Sequence, residues 1–452
     1  MSAVFTGPRA KARAEGHSAD GQLRWRLLTR RPAWRLPESR EDRLAFFGLA
    51  ALLVAGALLR LLFIFAWRPA FMGWPDAASY IEVSQGAGGT LLGNAELFGN
   101  TLRPAGYPLF LRALHALVPS LQFVIIVQHV LGLATAALFY LAVARAGAPR
   151  LLGLVPAGIV ALGADIMFVE HAPISETLFT FLVAIGLYAA VRSQEGERLR
   201  WPAICGLALV LAASVRVVAV PLLPVVGLWL LTCTGLPLRR RLTVLAVGAV
   251  SALALLGTYY AIQERTVGRT GLSPNGVWNV YGRVAPFADC SKFTPPPGTE
   301  PLCERTPRSR RPFTNHYTFN WYYSPGVRIF GNPHVASAEQ TDQIAAFSWA
   351  VIVGQPLDYA EEVGAGLLRY VAPESFRGYG GGPSYHDLVH RVLFHPRFQE
   401  EGLGVARRHY GDADRFSANH GLIDVLRTYE SATRIQGPLF VLMALLSVAA
   451  PF

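Results

Sequence analysis

The sequence predicts an all-α polytopic membrane protein with a mixed extracytoplasmic region. Three observations carry that prediction. The apolar set AVILMFWYC makes up 52% of the 452 residues and charged residues only 16%, with a mean hydropathy of +0.33. Soluble domains carry about 25% charged residues. The apolar residues fall in runs long enough to cross about 30 Å of hydrocarbon. Basic residues sit in short segments between those runs and recur on one predicted side. Only four cysteines are present, so the chain is not a disulfide scaffold. The net charge is +11, but only Lys11 and Lys292 of the 41 basic residues are lysine. Short arginine clusters at span ends fit a membrane topology and argue against a nucleic-acid groove.

Residues 1–43 are polar and arginine-rich, lack an apolar period and contain Pro32 and Pro37, which predicts a disordered cytoplasmic tail. The first span is expected over 44–67, entering from the basic cytoplasmic side. Residues 68–120 then form an outer loop of short amphipathic stretches. The second span is about 121–143, followed by a basic inner turn with Arg145 and Arg150. The third is about 151–169, and Glu170 and His171 mark a very short outer turn before a fourth span at about 174–191. The apolar run 202–236 is too long for one helix of ordinary tilt. Arg216, Pro221 and Pro224 interrupt it, so two spans are expected to meet near Arg216 and Pro221. Arg239, Arg240 and Arg241 return to the inner side, and a seventh span follows over 242–262.

Residues 263–436 are polar, aromatic and rich in Pro and Gly, and are expected outside the membrane. Cys290 and Cys303 suit a disulfide on an oxidising face, whereas Cys205 and Cys233 read as packing residues within spans. Residues 437–452 are too short for a full span and are expected to begin one that the sequence truncates.

Three outer segments hold the candidate chemistry. In Trp74-Pro75-Asp76-Ala77-Ala78-Ser79-Tyr80, a helix beginning at Pro75 puts Asp76 and Tyr80 on one face. A carboxylate there can take a proton from an alcohol at the membrane surface. Pro then Asp is also an ordinary helix start, which spacing alone favours. In Arg103-Pro104-Ala105-Gly106-Tyr107-Pro108, Arg103 can grip a phosphate with two donors, or can serve an interfacial Arg and Tyr belt. Glu170-His171-Ala172-Pro173-Ile174-Ser175-Glu176 brings three ionisable groups to one turn, with a role or a structural ion pair as the alternatives. Arg60 and Arg216 should lie near the same outer face, where they snorkel to water or meet a lipid phosphate.

In order and sidedness these segments resemble the C-type (GT-C fold) membrane glycosyltransferases, which include protein O-mannosyltransferases and lipid A aminoarabinose transferases. The resemblance covers roughly residues 44–262. It implies a GT-C-like module that moves a sugar from a polyprenyl-phosphate donor to an extracytoplasmic hydroxyl with inversion. Asp76 would be the general base. Arg60, Arg103 and Arg216 would hold the donor phosphate. Glu170, His171 and Glu176, with Tyr80, would orient the acceptor or, as in some relatives, hold a divalent metal ion. Asp76 is followed by Ala77 where protein mannosyltransferases usually carry Glu, so the acceptor stays open between glycan, protein and lipid. By the count of spans residues 263–436 lie outside, and the Ala-, Arg- and Gly-rich composition suggests a bacterial cell membrane with the site on its extracytoplasmic side.

The outer region adds an aromatic and amide cluster from Asn315 to Tyr323, suited to sugar stacking or to an aromatic core, and a glycine-rich stretch from Gly378 to Pro383, a lid or a slack connection. His386, His390, His395, His409 and His420 lack metal-ligand spacing and read as surface residues. Two rival functions remain. A flippase or transporter for a lipid-linked sugar needs polar residues near mid-membrane and broken helices, whereas these spans look clean at their centres. A non-enzymatic scaffold leaves the clustered outer acids unexplained.

Overall fold

A computed structural model describes residues 39–86, 97–98, 103–195, 198–232, 235–267, 271–272, 275–311, 320, 323–331, 336–371, 396–433, 437–438 and 441. Residues 1–38, most of 312–322, the glycine-rich stretch, His386, His390, His395, Cys233 and nearly all of 437–452 lie outside the described residues.

The first ten helices are α1 (Arg40–Ala66), α2 (Pro75–Gln85), α3 (Gly106–Leu117), α4 (Leu121–Arg145), α5 (Leu154–Leu162), α6 (Ala164–Glu170), α7 (Glu176–Ser193), α8 (Arg200–Val215), α9 (Leu222–Thr232) and α10 (Leu238–Val267). Helices α1, α4, α7 and α10 are long and apolar enough to cross a membrane. Their outward faces carry side chains such as Leu58, Phe65, Val130 and Leu253, which would face solvent unless lipid covers them. The apolar run 202–236 breaks at Arg216, as expected, into α8 and a 16-residue stretch from Val217 to Thr232.

The stretch expected as the third span is helical but broken in the middle. Helices α5 and α6 meet at Gly163 with a 52° bend. Gly163 is extended there, and a Cβ on it would come 2.6 Å from the Ile159 carbonyl. The break leaves the last-turn carbonyls of α5 without helical partners. Arg60 donates to the Ala161 and Val160 carbonyls at 2.7 and 3.3 Å, and the Tyr429 hydroxyl donates to the Leu162 carbonyl at 2.6 Å.

The described residues of 263–436 pack in two places. A disulfide-bonded lobe comprises α11 (Asn275–Val284), α12 (Pro325–Phe330), α13 (Ala338–Gly354) and α14 (Pro356–Val371), around Trp278, Tyr281, Ile344 and Phe347. Cys290 and Cys303 are bonded as expected. Closing a loop of this length stabilises by about 3 kcal/mol in the chain-entropy account. Replacing both cysteines with serine should cost the lobe about that much, read as a lower unfolding midpoint with no change in reducing buffer. Asp358 on α14 accepts from Gln355 at 2.8 Å and from Lys292 at 2.9 Å, and these bonds hold its pKa below the usual carboxylate value. Because that pKa is depressed on folding, its contribution is present above about pH 4 and is lost as pH falls through the folded value.

The later segment packs against the first core instead. Helix α15 (Pro396–Arg407) lies on α2, and α16 (His420–Thr433) lies on α1. Strand β2 (Ser417–Ala418) pairs antiparallel with β1 (Trp67–Arg68), and the Asn419 amide donates to the Ala66 carbonyl at 2.8 Å. Asp412 accepts from the Leu121 and Gln122 amides, both at 2.9 Å, and so caps the N-terminus of α4 with negative charge. His420 is exposed as expected, but His409 is half-buried beside this packing.

Candidate functional site

The connections at the Trp67 end of the bundle build two linked polar clusters. The outer one starts on α2. This helix begins at Pro75, and its first turns present Asp76, Ser79 and Tyr80 to the turn before α3. Arg103 from that turn ion-pairs with Asp76, donates to Ser79 Oγ at 3.3 Å, and lies 4.7 Å over the Tyr80 ring. Gly106 permits this approach, since a Cβ there would meet the Ser214 carbonyl of α8 at 2.6 Å. Gly106→Ala should therefore push α3 off α8 and cost about 1–3 kcal/mol of stability, measurable by thermal unfolding in detergent.

Tyr80 links this pair to a second. Its hydroxyl donates to Ser175 Oγ at 2.9 Å. Burial raises the Tyr80 pKa, against the pull of Arg103, and so keeps the hydroxyl protonated as that donor. Arg216, at the break after α8, donates to the same Ser175 oxygen at 3.1 Å and ion-pairs with Glu176 at the start of α7. Asp76, Arg103, Tyr80, Glu176 and Arg216 thus stand in one cluster, with Ser175 as its hub. Asp76 is about half exposed (51%), whereas Arg103 is mostly covered at 17%. Arg216 and Glu176 are each more than one-third exposed.

The inner cluster is dry. Arg60, Glu170, His129 and His171 are each 3% exposed or less. Arg60 grips Glu170 with Nε at 2.8 Å and Nη2 at 2.7 Å, and its remaining donors go to the Gly56, Ala161 and Val160 carbonyls. All five of its N–H groups are engaged. His129 Nδ1 lies 2.8 Å from Glu170 Oε2, and His129 Nε2 lies 3.0 Å from His171 Nδ1. His171 Nε2 lies 2.8 Å from the Trp67 carbonyl, which only accepts. With His171 neutral, its Nδ1 must accept from His129 Nε2–H. One proton then sits between His129 Nδ1 and Glu170 Oε2. Gly132 makes room for this pair, because any Cβ there would collide with the Glu170 carboxylate.

Gln128 ties the two clusters together. Its amide donates to the Glu170 and Ala172 carbonyls at 2.8 and 2.7 Å and accepts from the Tyr107 hydroxyl at 2.6 Å. Tyr107 packs edge-on against Tyr80, 4.8 Å between ring centres. The turn that presents Ser175 and Glu176 is therefore fixed from beneath.

The structure separates the sequence candidates accordingly. Arg60 joins Glu170 in the inner cluster, away from Arg103 and Arg216. Glu170 and His171 have their polar side-chain atoms engaged by protein partners, and Glu176 pairs with Arg216 in the other cluster. Among the described residues no group of three or more His, Cys, Asp or Glu side chains is arranged to hold a metal ion. Sequence reasoning missed Gln128, His129, Gly132 and the hub role of Ser175. Adjacent Gln and His within an otherwise apolar span were the available signal. A shallow apolar groove of about 520 Å3, between Gly48, Ala55 and Val155, lies lower on α1 and does not touch either cluster. No protein-family model matches the chain, and no curated protein matches it.

Proposed function

We propose that the chain is a membrane glycosyltransferase that moves a sugar from a polyprenyl phosphate to an acceptor hydroxyl, as the resemblance to the C-type enzymes implies. The observation that carries the reading is the outer cluster: two partly exposed arginine–carboxylate pairs, joined through Tyr80 and Ser175, where apolar helices end. A lipid phosphate entering from the bilayer competes with Asp76 and Glu176 for the guanidinium groups of Arg103 and Arg216. A carboxylate released in this way is a free base. Asp76 then takes the acceptor proton as the hydroxyl oxygen bonds to the anomeric carbon. The bond from that carbon to the phosphate oxygen breaks on the opposite face, which inverts the centre. The two arginines hold the charge that grows on the leaving phosphate. Arg60 supports the turn from below and has no donor to offer the phosphate. In this reading the protein sits in the cell membrane with the tail inside, because Arg40, Arg43, Arg145, Arg150 and Arg239–Arg241 flank the other ends of the helices.

A flippase for a lipid-linked sugar is the second reading. The broken α5–α6 helix and the polar groups buried under the Trp67 end favour it. His129 lies eight residues into α4, about 12 Å deep, which is short of mid-membrane. Purified protein in vesicles loaded with a radiolabelled polyprenyl-phosphate sugar separates the two. The transferase reading predicts label on a new acceptor product. Label carried intact across the bilayer, with no product, supports the flippase and overturns the transferase.

A further inference from the structure

The lobe built on α11–α14 has an apolar surface that its own core does not use. Helix α13 buries Ile344, Phe347 and Val351 against Trp278 and Tyr281, as a helix of a water-exposed lobe should. Its opposite side carries Trp349 and Val353, 67% and 61% exposed. A helix apolar on both sides calls for a second apolar environment. The next helix continues the surface. Leu357, at the corner after α13, is 84% exposed, and Leu367 and Leu368 are also well exposed. With 100° per residue, Leu357, Leu367 and Leu368 fall within an arc of about 100° on α14, together with small residues at 360 and 364.

Two further observations say what covers this surface. The first is height. Tyr259 receives the Ala105 amide at 3.1 Å, two residues from Arg103, and donates to the Leu272 carbonyl at 3.3 Å. Helix α10 runs eight residues past Tyr259, so the chain returns about 12 Å before α11 begins at Asn275. The lobe therefore starts level with the ends of the spanning helices. The second is charge. Beside the corner, Asp358 is held by Lys292 and Arg308. Arg305 and Arg310, both exposed on the segment that follows Cys303, have no carboxylate partner among the described residues. Arg305 lines a polar cavity of about 210 Å3 with Lys292, Arg308 and Arg311 and the carboxylates Asp289 and Glu304.

We propose that the α13–α14 corner docks on the bilayer that the chain itself spans. Trp349, Val353, Leu357 and Leu368 enter the headgroup and acyl boundary, and Arg305 and Arg310 meet anionic lipid phosphates. An amphipathic helix with a Trp at its edge and arginines beside it has the makeup of an interfacial element. The docking is independent of whether the outer cluster transfers a sugar.

Nitroxide labels test it in the full chain. Variants with one free cysteine, Val353→Cys, Leu357→Cys and Leu368→Cys, with Glu339→Cys at the far end of α13 as the aqueous control, are made with Cys205 and Cys233 replaced by serine and the Cys290–Cys303 disulfide kept. Each is reconstituted in phosphatidylcholine vesicles with and without phosphatidylglycerol, whose negative charge gives the surface potential that attracts basic side chains. The three surface labels are expected to be relaxed by oxygen and protected from an aqueous nickel chelate, and the control to behave the opposite way. Omitting the anionic lipid, or making Arg305→Glu with Arg310→Glu, should raise nickel accessibility several-fold. Equal nickel accessibility at Val353, Leu357 and Glu339 would overturn the docking. So would exclusion of both reagents with spin–spin broadening, which signals a second copy on this surface. Accessibility indifferent to lipid charge would overturn the role given to the arginines.

Discussion

Arg60→Met is expected to destabilise the bundle by about 3–5 kcal/mol, because it leaves the Glu170 carboxylate buried without its cation. The cost is large because the pair is 2% and 1% exposed, so water cannot replace the lost donors. It is not confined to the charge. The same guanidinium joins α1 to the open carbonyls at the end of α5, so methionine also orphans Ala161 and Val160. Removing both charges in Arg60→Met with Glu170→Leu should recover part of the loss, since the carboxylate is no longer stranded. Reversible unfolding in mixed detergent micelles, run as a double-mutant cycle, measures the coupling. Additive losses would mean that the two side chains do not act as a pair.

Arg103→Ala and Arg216→Ala are expected to lower sugar transfer by about 10²–10³ each, the scale seen when one donor to a developing anion is removed. Neither change should disturb the inner cluster, because its bonds run through Arg60, His129 and Gln128. The stability loss should be about 1 kcal/mol or less for Arg216→Ala, the scale of exposed ion pairs, and larger for the mostly covered Arg103, though below that of Arg60→Met. The asymmetry distinguishes the arginines. Arg60 should matter for folding, and Arg103 and Arg216 for binding the phosphate. A steady-state assay that varies donor concentration reads the effect as a higher KM together with a lower kcat. Transfer unchanged in both variants would remove the phosphate role.

Much of this arrangement was legible in the residues. Pro75 and the spacing of Asp76 and Tyr80 correctly placed both on one helix face, because helix start and period are local properties. The interruption at Arg216 likewise marked the break after α8. The fate of Arg60 was not legible. A lone arginine late in an apolar helix looks the same whether it meets a lipid phosphate or a buried glutamate 110 positions away. The bend at Gly163 was hidden for a related reason. Its apolar neighbours read as one continuous span, and only the carbonyls taken by Arg60 and Tyr429 give the break a use. The return of residues 396–433 to the first core depends on pairings such as Asp412 with the start of α4, which no local pattern announces.

Asp76→Asn tests the central claim most directly. The amide keeps the shape of the carboxylate and can still accept from Arg103, so donor binding and folding should persist. Single-turnover transfer with a saturating polyprenyl-phosphate sugar should fall by about 10²–10⁴, the usual worth of a general base. A correctly folded Asp76→Asn protein that transfers sugar at the unmodified rate would show that the proton goes elsewhere, and the assignment of the outer cluster as a catalytic centre would fail.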